Sequence, residues 1–316
     1  MIIMNERTSS GANGSRVTII TVSYNSQEVL PDMLASVPQG VSVVIVDNGS
    51  RNIQSLRQIA LRYEATLIES PTNIGFSRAC NLGAARANTE FLFFLNPDAR
   101  LANDALDRMI ESASHFSRAS AFNPRITGIN GRPFFKGRSD LLPRSRWIPQ
   151  NWPDDDCEIN TLSGAALLVR RDAFEQVGGF DDQLFLFYED DDLAIRLESR
   201  CGPLMFVRDA SVTHGAGSSS GPSASISGFK AWNMGFSKVH ACRKHRGLLF
   251  AGLAVATASI KAMLAIPPMS VTRRLKRIEH LKGAIHAFVG GRCDACLARY
   301  PEFERPTQGR DHVKVE

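Results

Sequence analysis

Val17-Thr18-Ile19-Ile20-Thr21-Val22, running directly into Ser23-Tyr24-Asn25, is a short β-branched run that ends in polar residues. Too short for a buried helix and rich in Val, Ile and Thr, it predicts a fully buried strand. The same signature recurs at 42–46, 66–68 and Phe91–Leu95, with helical patterns between them near 27–36, 52–63 and 77–87. Strand and helix in alternation predict a parallel sheet with helices on its faces. Ligands of such sheets bind outside the carboxyl ends of the strands. Those ends carry Ser23-Tyr24-Asn25, Asp47-Asn48-Gly49-Ser50 and Asn96-Pro97-Asp98, three polar segments expected to meet in one crevice.

Beyond Asp98 the pattern loosens. A helix is expected at 103–116, a hairpin and long loop at 121–152, a strand at 162–170 and a short helix at 172–177. Gly178-Gly179-Phe180-Asp181 predicts a turn, 190–200 a helix, 204–207 a strand, and 214–225 a flexible Gly/Ser-rich loop. No internal repeat is visible. Within this half, Phe187-Tyr188 leads into four consecutive carboxylates, Glu189-Asp190-Asp191-Asp192. These acids alone suit a helix N-terminus, and Asp98 alone suits a turn after Pro97. Together at the ends of core elements they point to a metal-and-base centre, because so much like charge is costly unless a cation or a reaction uses it.

The chain has 316 residues, 43% of them hydrophobic, enough for a full core. Its six cysteines are too scattered for a disulfide framework, and Cys293-Asp294-Ala295-Cys296 is a single CxxC without a second pair. Free thiols in a reducing cytoplasm are the expectation. Residues 1–16, polar and without an apolar core, predict a disordered tail and not a signal peptide. The net charge of +5 is unevenly spread: 226–292 holds twelve Lys and Arg against Glu279, or +11. That segment predicts an anionic partner. No nucleic-acid motif or aromatic stacking pattern accompanies it, so nucleic acid is not expected.

An anionic membrane surface fits this segment better. Residues 248–266 form a nineteen-residue stretch with one charge, Lys261, closed by Pro267-Pro268. Residues 271–289 follow with Leu275, Ile278, Leu281, Ile285 and Phe288 along one side and basic residues elsewhere. Three arrangements are open here: a span, helices lying on the surface, or helices packed on the catalytic part.

The first strand is followed by Ser23-Tyr24-Asn25-Ser26, which has no glycine, so a GxGxxG dinucleotide turn is absent. No Walker motif is present either. Taken in order, Val22-Ser23-Tyr24-Asn25, Val46-Asp47-Asn48-Gly49-Ser50, Asn73-Ile74-Gly75-Phe76 with Asn81, Leu95-Asn96-Pro97-Asp98, Ser163-Gly164-Ala165, Gly178-Gly179-Phe180-Asp181, Tyr188 to Asp192 and His214 resemble glycosyltransferase family 2. The likeness is greatest to its bacterial rhamnosyltransferase-like branch and runs over about 17–220.

The resemblance implies a GT-A fold: a Rossmann-like, mostly parallel sheet flanked by helices, with a helical extension at the C-terminus. It implies inverting transfer of a sugar from a nucleotide-diphosphate donor, dTDP- or UDP-linked. Ser23, Tyr24, Asn25, Asp47, Asn73, Gly75, Phe76, Asn81 and Asn96 would then line the donor site. Asp47 would accept the N3–H of a pyrimidine base, Gly75 would let backbone approach the donor, and Asn81 would reach a sugar hydroxyl. Asp98 and His214 would hold Mg²⁺ or Mn²⁺ on the diphosphate. Many relatives have Asp-x-Asp where this chain has Asn96-Pro97-Asp98. Asp190 would be the general base, taking the acceptor proton as the hydroxyl attacks opposite the leaving group. Glu189 would orient the acceptor, with Gly164, Ala165 and Asp192 on the acceptor side.

The expected organisation is a tail at 1–16 and a catalytic domain at 17–225, divided into a nucleotide-binding half to 98 and an acceptor half from 99. A membrane-associating helical region at 226–292 and a polar tail at 293–316 follow. The expected activity is transfer of a hexose or deoxyhexose, rhamnose among them, to a glycan or lipid-linked acceptor of a bacterial surface polysaccharide. It would occur in the cytoplasm at the inner face of the cell membrane. Two alternatives are a sugar nucleotidyltransferase, which would carry a glycine-rich phosphate loop and a Lys near the first strand, and a non-catalytic nucleotide-sugar-binding scaffold.

Overall fold

The computed structural model describes residues 14–215, 223–266 and 269–304. The expected tail over 1–13, the loop at 216–222, the Pro267-Pro268 stop and the tail at 305–316 lie outside the described residues.

The first half forms as its alternation predicts. Strands β1 (Val17–Ser23), β2 (Ser42–Asn48), β3 (Thr66–Ser70) and β4 (Phe91–Leu95) alternate with helices α1 (Leu30–Ala35), α2 (Ile53–Arg62) and α3 (Phe76–Ala84). These four strands pair in parallel, in the order β3-β2-β1-β4. Alternate side chains go to opposite faces: Val17, Ile19, Phe91 and Phe93 join one core cluster, while Ile20, Val22, Leu92 and Phe94 join the other. Arg16, expected in a disordered tail, is fixed instead by Glu90 at 2.8 Å and by the Phe91 ring.

The second half continues the same sheet. It comprises β5 (Ala99–Leu101), α4 (Ala105–His115), β6 (Ala121–Gly128), β7 (Cys157–Ile159), β8 (Ala166–Arg170), α5 (Arg171–Gln176), α6 (Glu189–Arg200) and β9 (Leu204–His214). Antiparallel β8 beside β4 starts the mixed part, so the sheet is parallel through its first four strands and mixed beyond them. The strand expected at 162–170 begins only at Ala166, because Asn123 holds the turn before it through Ser163 and Ala166. The strand expected at 204–207 runs on to His214, since β6 and β5 both pair with its second half. His214 therefore closes a strand opposite Ala99 and is not on a flexible loop.

Three long helices follow: α7 (Ala224–Arg246), α8 (Leu248–Met263) and α9 (Val271–Phe288). Helices α7 and α9 cross in backbone contact. A Cβ on Gly235 would lie 1.9 Å from the His280 carbonyl oxygen, and one on Gly283 would lie 2.0 Å from that of Trp232. They share a third core cluster with Leu141 and Phe185 of the sheet-bearing part, so the helical region is packed on it. No helix of the described residues is long and apolar enough to cross a membrane.

The polar tail expected at 293–316 is ordered over its first part. Residues Ala295–Arg299 form α10 and Pro301–Phe303 a 3-10 turn. Cys293 and Cys296 are fully buried, and Phe303 stacks on Phe229 at 4.4 Å. The apolar residues in this stretch drive that packing.

Candidate active site

The carboxyl ends of β1 and β2 are stitched to each other. Asn25, in a left-handed conformation (φ 56°), donates its N–H to Ser50 Oγ at 2.9 Å and accepts the Arg51 N–H at 2.9 Å. Asp47 accepts the Ser50 N–H at 3.0 Å and is buried, which raises its pKa above the ordinary carboxylate value while its bonds to Ser50 oppose the rise. Ser23 Oγ is buried without a hydrogen-bond partner among the described residues. Tyr24 lies above this end, its hydroxyl donating to the Phe303 carbonyl at 3.4 Å.

Four residues expected to contact the donor are committed to contacts within the protein. Asn73 Oδ1 accepts from Asn48 Nδ2 at 2.9 Å and from the Gly75 N–H at 3.0 Å, while its own N–H donates to the Glu304 carbonyl. Gly75 (φ 89°) makes room for Phe185, whose ring would stand 2.9 Å from a Cβ there, so its need for glycine is internal. The Phe76 N–H likewise donates to the Phe185 carbonyl. Asn81 does not face the crevice freely. It clamps the glycine turn by donating to the Phe180 carbonyl at 2.9 Å and to Asp182 at 3.0 Å, and by accepting the Phe180 N–H at 2.9 Å.

At the end of β4, Asp98 Oδ1 and His214 Nε2 stand 3.2 Å apart, with side chains 6% and 8% exposed. Asn96 Nδ2 also lies 3.2 Å from His214 Nε2, and Phe134 packs its ring against the imidazole. The residues fit a divalent cation. One carboxylate oxygen and one imidazole nitrogen converge, donor types that a divalent cation takes, while no group of three His, Cys, Asp or Glu that could hold a metal gathers among the described residues. A magnesium- or manganese-type ion that binds few protein ligands fills its remaining positions with phosphate oxygens and water.

The acids of α6 surround Lys136. Its Nζ lies 2.9 Å from Asp190 Oδ1 and 2.9 Å from Asp191 Oδ2. The lysine is placed by its loop. A Cβ on the neighbouring Gly137 would meet the Ile148 carbonyl at 2.6 Å, and the Lys136 carbonyl accepts the Thr161 hydroxyl. Asp190 Oδ2 accepts the Gly164 N–H at 3.2 Å. Glu189 is buried with Oε2 unpartnered among the described residues, and burial, then Asp190, pushes its pKa up to about 8. Burial also raises Asp191, to about 6, against the pull of Lys136.

Asp192, expected on the acceptor side, is turned away from it. It is fully buried and paired with Arg196 at 2.6 Å, Lys244 at 2.7 Å and His245 at 2.7 Å. Burial disfavours its charge, but the hydrogen bond from His245 and the charges of Arg196 and Lys244 hold its pKa below the ordinary value. It ties α6 to α7 and does not cap α6, whose N-cap is Tyr188 in a left-handed conformation. Gly164 and Ala165 do lie beside the acids. The Ala165 carbonyl accepts the Asn96 N–H at 3.0 Å. A continuous path of short contacts thus joins Asp98 and His214, through Asn96 and Ala165 to Gly164, with Asp190.

Lys136 and the Phe303-Glu304 segment were not anticipated. Lys136 is the only lysine in the Arg- and Pro-rich stretch 121–152, the one sequence signal that singles it out. The segment at 303–304 gave no signal.

A parallel half-sheet with a polar rim, extended by a mixed half that carries a carboxylate–histidine pair and an acid cluster, is the architecture of a GT-A glycosyltransferase. The sequence model described as glycosyl transferase family 2 matches residues 18–178, just over half of the 316. The chain belongs to that family. It is similar to N-acetylglucosaminyl-diphospho-decaprenol L-rhamnosyltransferase of Mycobacterium tuberculosis, at 27% identity over 236 residues, covering 64% of this chain and 77% of that protein. A low-salt glycan biosynthesis hexosyltransferase of Haloferax volcanii is 25% identical over 189 residues, covering 57% of this chain and 61% of that protein. Among solved structures, the mannosyltransferase PcManGT from Pyrobaculum calidifontis, in complex with GDP-Man and Mn2+, superposes with a TM-score of 0.54. It is 17% identical and the match covers 86% of each chain. Staphylococcus aureus TarS superposes with a TM-score of 0.52 at 14% identity, covering 87% of this chain and 92% of that one.

Proposed function

We propose that this glycosyltransferase moves a sugar, with inversion, from a UDP- or dTDP-linked donor to a hydroxyl of a glycan or lipid-linked acceptor. The path of contacts from Asp98 and His214 to Asp190 supports this reading, because it joins a carboxylate–histidine pair suited to a cation on a diphosphate with a carboxylate suited to act as base. Asp47 at the end of β2 is buried with its bonds to Ser50, an arrangement suited to accept one imide N–H from a base. Asp98 and His214 are the residues that would hold a divalent cation, which when bound would supply charge neutralisation for the departing diphosphate. Asp190 would accept the acceptor proton, its carboxylate oriented by the Gly164 N–H.

The mycobacterial relative takes its name from a diphospho-decaprenol acceptor and an L-rhamnosyl group. That likeness supports a lipid-linked acceptor and a deoxyhexose donor in bacterial surface polysaccharide synthesis. Catalysis belongs to 17–225 and membrane contact to the helices of 226–292. The experiment is thermal stability against UDP-, dTDP- and GDP-sugars, each with and without Mn²⁺. A ligand at a hundred times its Kd stabilises by about 2.7 kcal/mol. A metal-dependent rise in melting temperature with one nucleotide class, lost in Asp98→Ala, is the expected result. No rise with any donor would overturn the donor-site assignment.

A further inference from the structure

A second cavity, of 390 Å³, opens between α7, α8 and α9. Lys230, Lys261, Lys276 and Arg277 line it together with His280, and no acidic residue does. Lys230, Lys261 and Lys276 form no ion pair or side-chain hydrogen bond among the described residues. Arg277 reaches only the carbonyls at the end of α8, of Lys261 at 3.0 Å and Leu264 at 3.3 Å. Asp140, the acid that Lys261 influences, is already held by Lys238 at 2.6 Å and by the Tyr188 hydroxyl. Four cations sharing one concavity with no acid among them make a site that attracts an anion.

The cavity is also apolar on one side. Phe187, Met234 and Ala258 line it. Beyond its rim, Ile260 is 58% exposed, Met263 77%, Leu264 60% and Ile266 62%. Its occupant must therefore offer concentrated negative charge at one end and hydrocarbon at the other. Phe187 also sets the cavity relative to the reaction. It precedes Asp190 by three residues, at most about 10 Å of chain. Both Phe187 (φ 72°) and Tyr188 (φ 65°) are left-handed, a costly conformation that persists where the surroundings enforce it. Here Ser237 of α7 donates to the Leu186 carbonyl at 2.9 Å, and Tyr188 donates to Asp140.

We infer that this cavity binds the diphosphate of a polyprenyl-diphosphate-linked acceptor, with the prenyl chain lying along the exposed face of α8. The inference rests on the reading of Asp190 as the transfer base and names the acceptor class for it. The sugar attached to the diphosphate would then reach past Phe187 to Asp190. Lysine and arginine suit phosphate oxygens as donors, and the cavity volume is ordinary for a ligand site.

The test uses the full chain and farnesyl diphosphate as the probe, with binding followed by titration calorimetry. Binding at least tenfold tighter than that of farnesol is expected, with a tenfold or greater loss in Lys230→Gln/Lys276→Gln and retention in Lys230→Arg/Lys276→Arg. Inorganic diphosphate should compete. Phosphatidylglycerol presented in short-chain micelles should compete at least tenfold less well. Equal competition by it would make the cavity a general headgroup site and overturn the inference, as would undiminished binding to the glutamine variant. The donor-dependent melting shift, measured on the same variants, reports their folding. Its absence in the unaltered protein would count against the Asp98 end alone, since the probe contacts none of that site.

Discussion

Lys136 holds its ammonium 2.9 Å from both Asp190 and Asp191, which fixes the orientation of the proposed base. Lys136→Met should therefore lower kcat by up to about 10²-fold by freeing that carboxylate from its fixed geometry, while leaving the donor melting shift in place; an unchanged kcat would detach Lys136 from the base. Asp190→Asn should lower transfer about 10²- to 10⁴-fold, the usual worth of a positioned base, while leaving the donor melting shift in place. Unchanged turnover would refute its role. Glu189 titrates in the opposite sense to a paired acid. With its folded pKa up at about 8, the native protein keeps a proton between about pH 4.3 and 8 that the unfolded chain has released. Stability from this group thus falls as pH rises through that window. Glu189→Gln should gain in melting temperature relative to the unaltered protein between pH 5 and pH 9, and a constant difference would reject the assignment. The run of acids was legible because consecutive carboxylates are conspicuous. Lys136 was not, because its place depends on Gly137 packing under the Ile148 carbonyl, a contact without a local pattern.

Among the elements, the first four strands and three helices were legible because β1, β2 and β4 are buried on both faces and read as nearly continuous apolar runs, while the edge strand β3 still carries Leu67 and Ile68 between helical patterns. The short strands β5 and β7, three residues each, fall below what periodicity can register. Strand β9 was legible only to Val207, since Arg208 and Asp209 interrupt its apolar run although the backbone continues to pair. That error displaced His214, which strand pairing brings to Asp98. Asn73 and Asn81 show a second limit of a local pattern. Their residue type and position are those of ligand contacts, but the turns beside them absorb their hydrogen bonds. The crossing of α7 and α9 is a sharper test of packing. Gly283→Ala would force a methyl to within 2.0 Å of the Trp232 carbonyl, so the helices must separate. Overpacking of this kind costs about 1–3 kcal/mol. Chemical denaturation should show a loss of that size, whereas Gly252→Ala, 3.8 Å from Phe288, should show almost none.

At the scale of the molecule, the charge asymmetry resolves into two surfaces. Part of the basic segment is matched internally, where Lys238, Lys244 and His245 of α7 meet Asp140, Asp181 and Asp192 of the sheet-bearing part. The outer helices keep the remainder. Along α8 and α9, Leu249 (73% exposed), Leu253, Ile260, Met263 and Val271 stand uncovered beside Lys261, Arg273 and Lys276. Uncovered apolar side chains interspersed with cations are the composition of a surface that rests on anionic lipid. Of the three arrangements left open by the sequence, a span is set aside, because α8 is only sixteen residues long with Ala251 and Ala258 packed inward. We propose that this face holds the enzyme against the membrane, at about 1 kcal/mol for each basic residue near an anionic surface. The enzyme should co-sediment with phosphatidylglycerol vesicles at low ionic strength and not with phosphatidylcholine vesicles. Raising the salt to 1 M shortens the Debye length to about 3 Å and should release most of it. Leu249→Glu/Leu253→Glu should weaken the association at low salt by removing apolar insertion while leaving the fold intact. A protein that stays in the supernatant with anionic vesicles at low salt would sink the membrane assignment, whereas co-sedimentation unaffected by either change would mean that some other surface makes the contact.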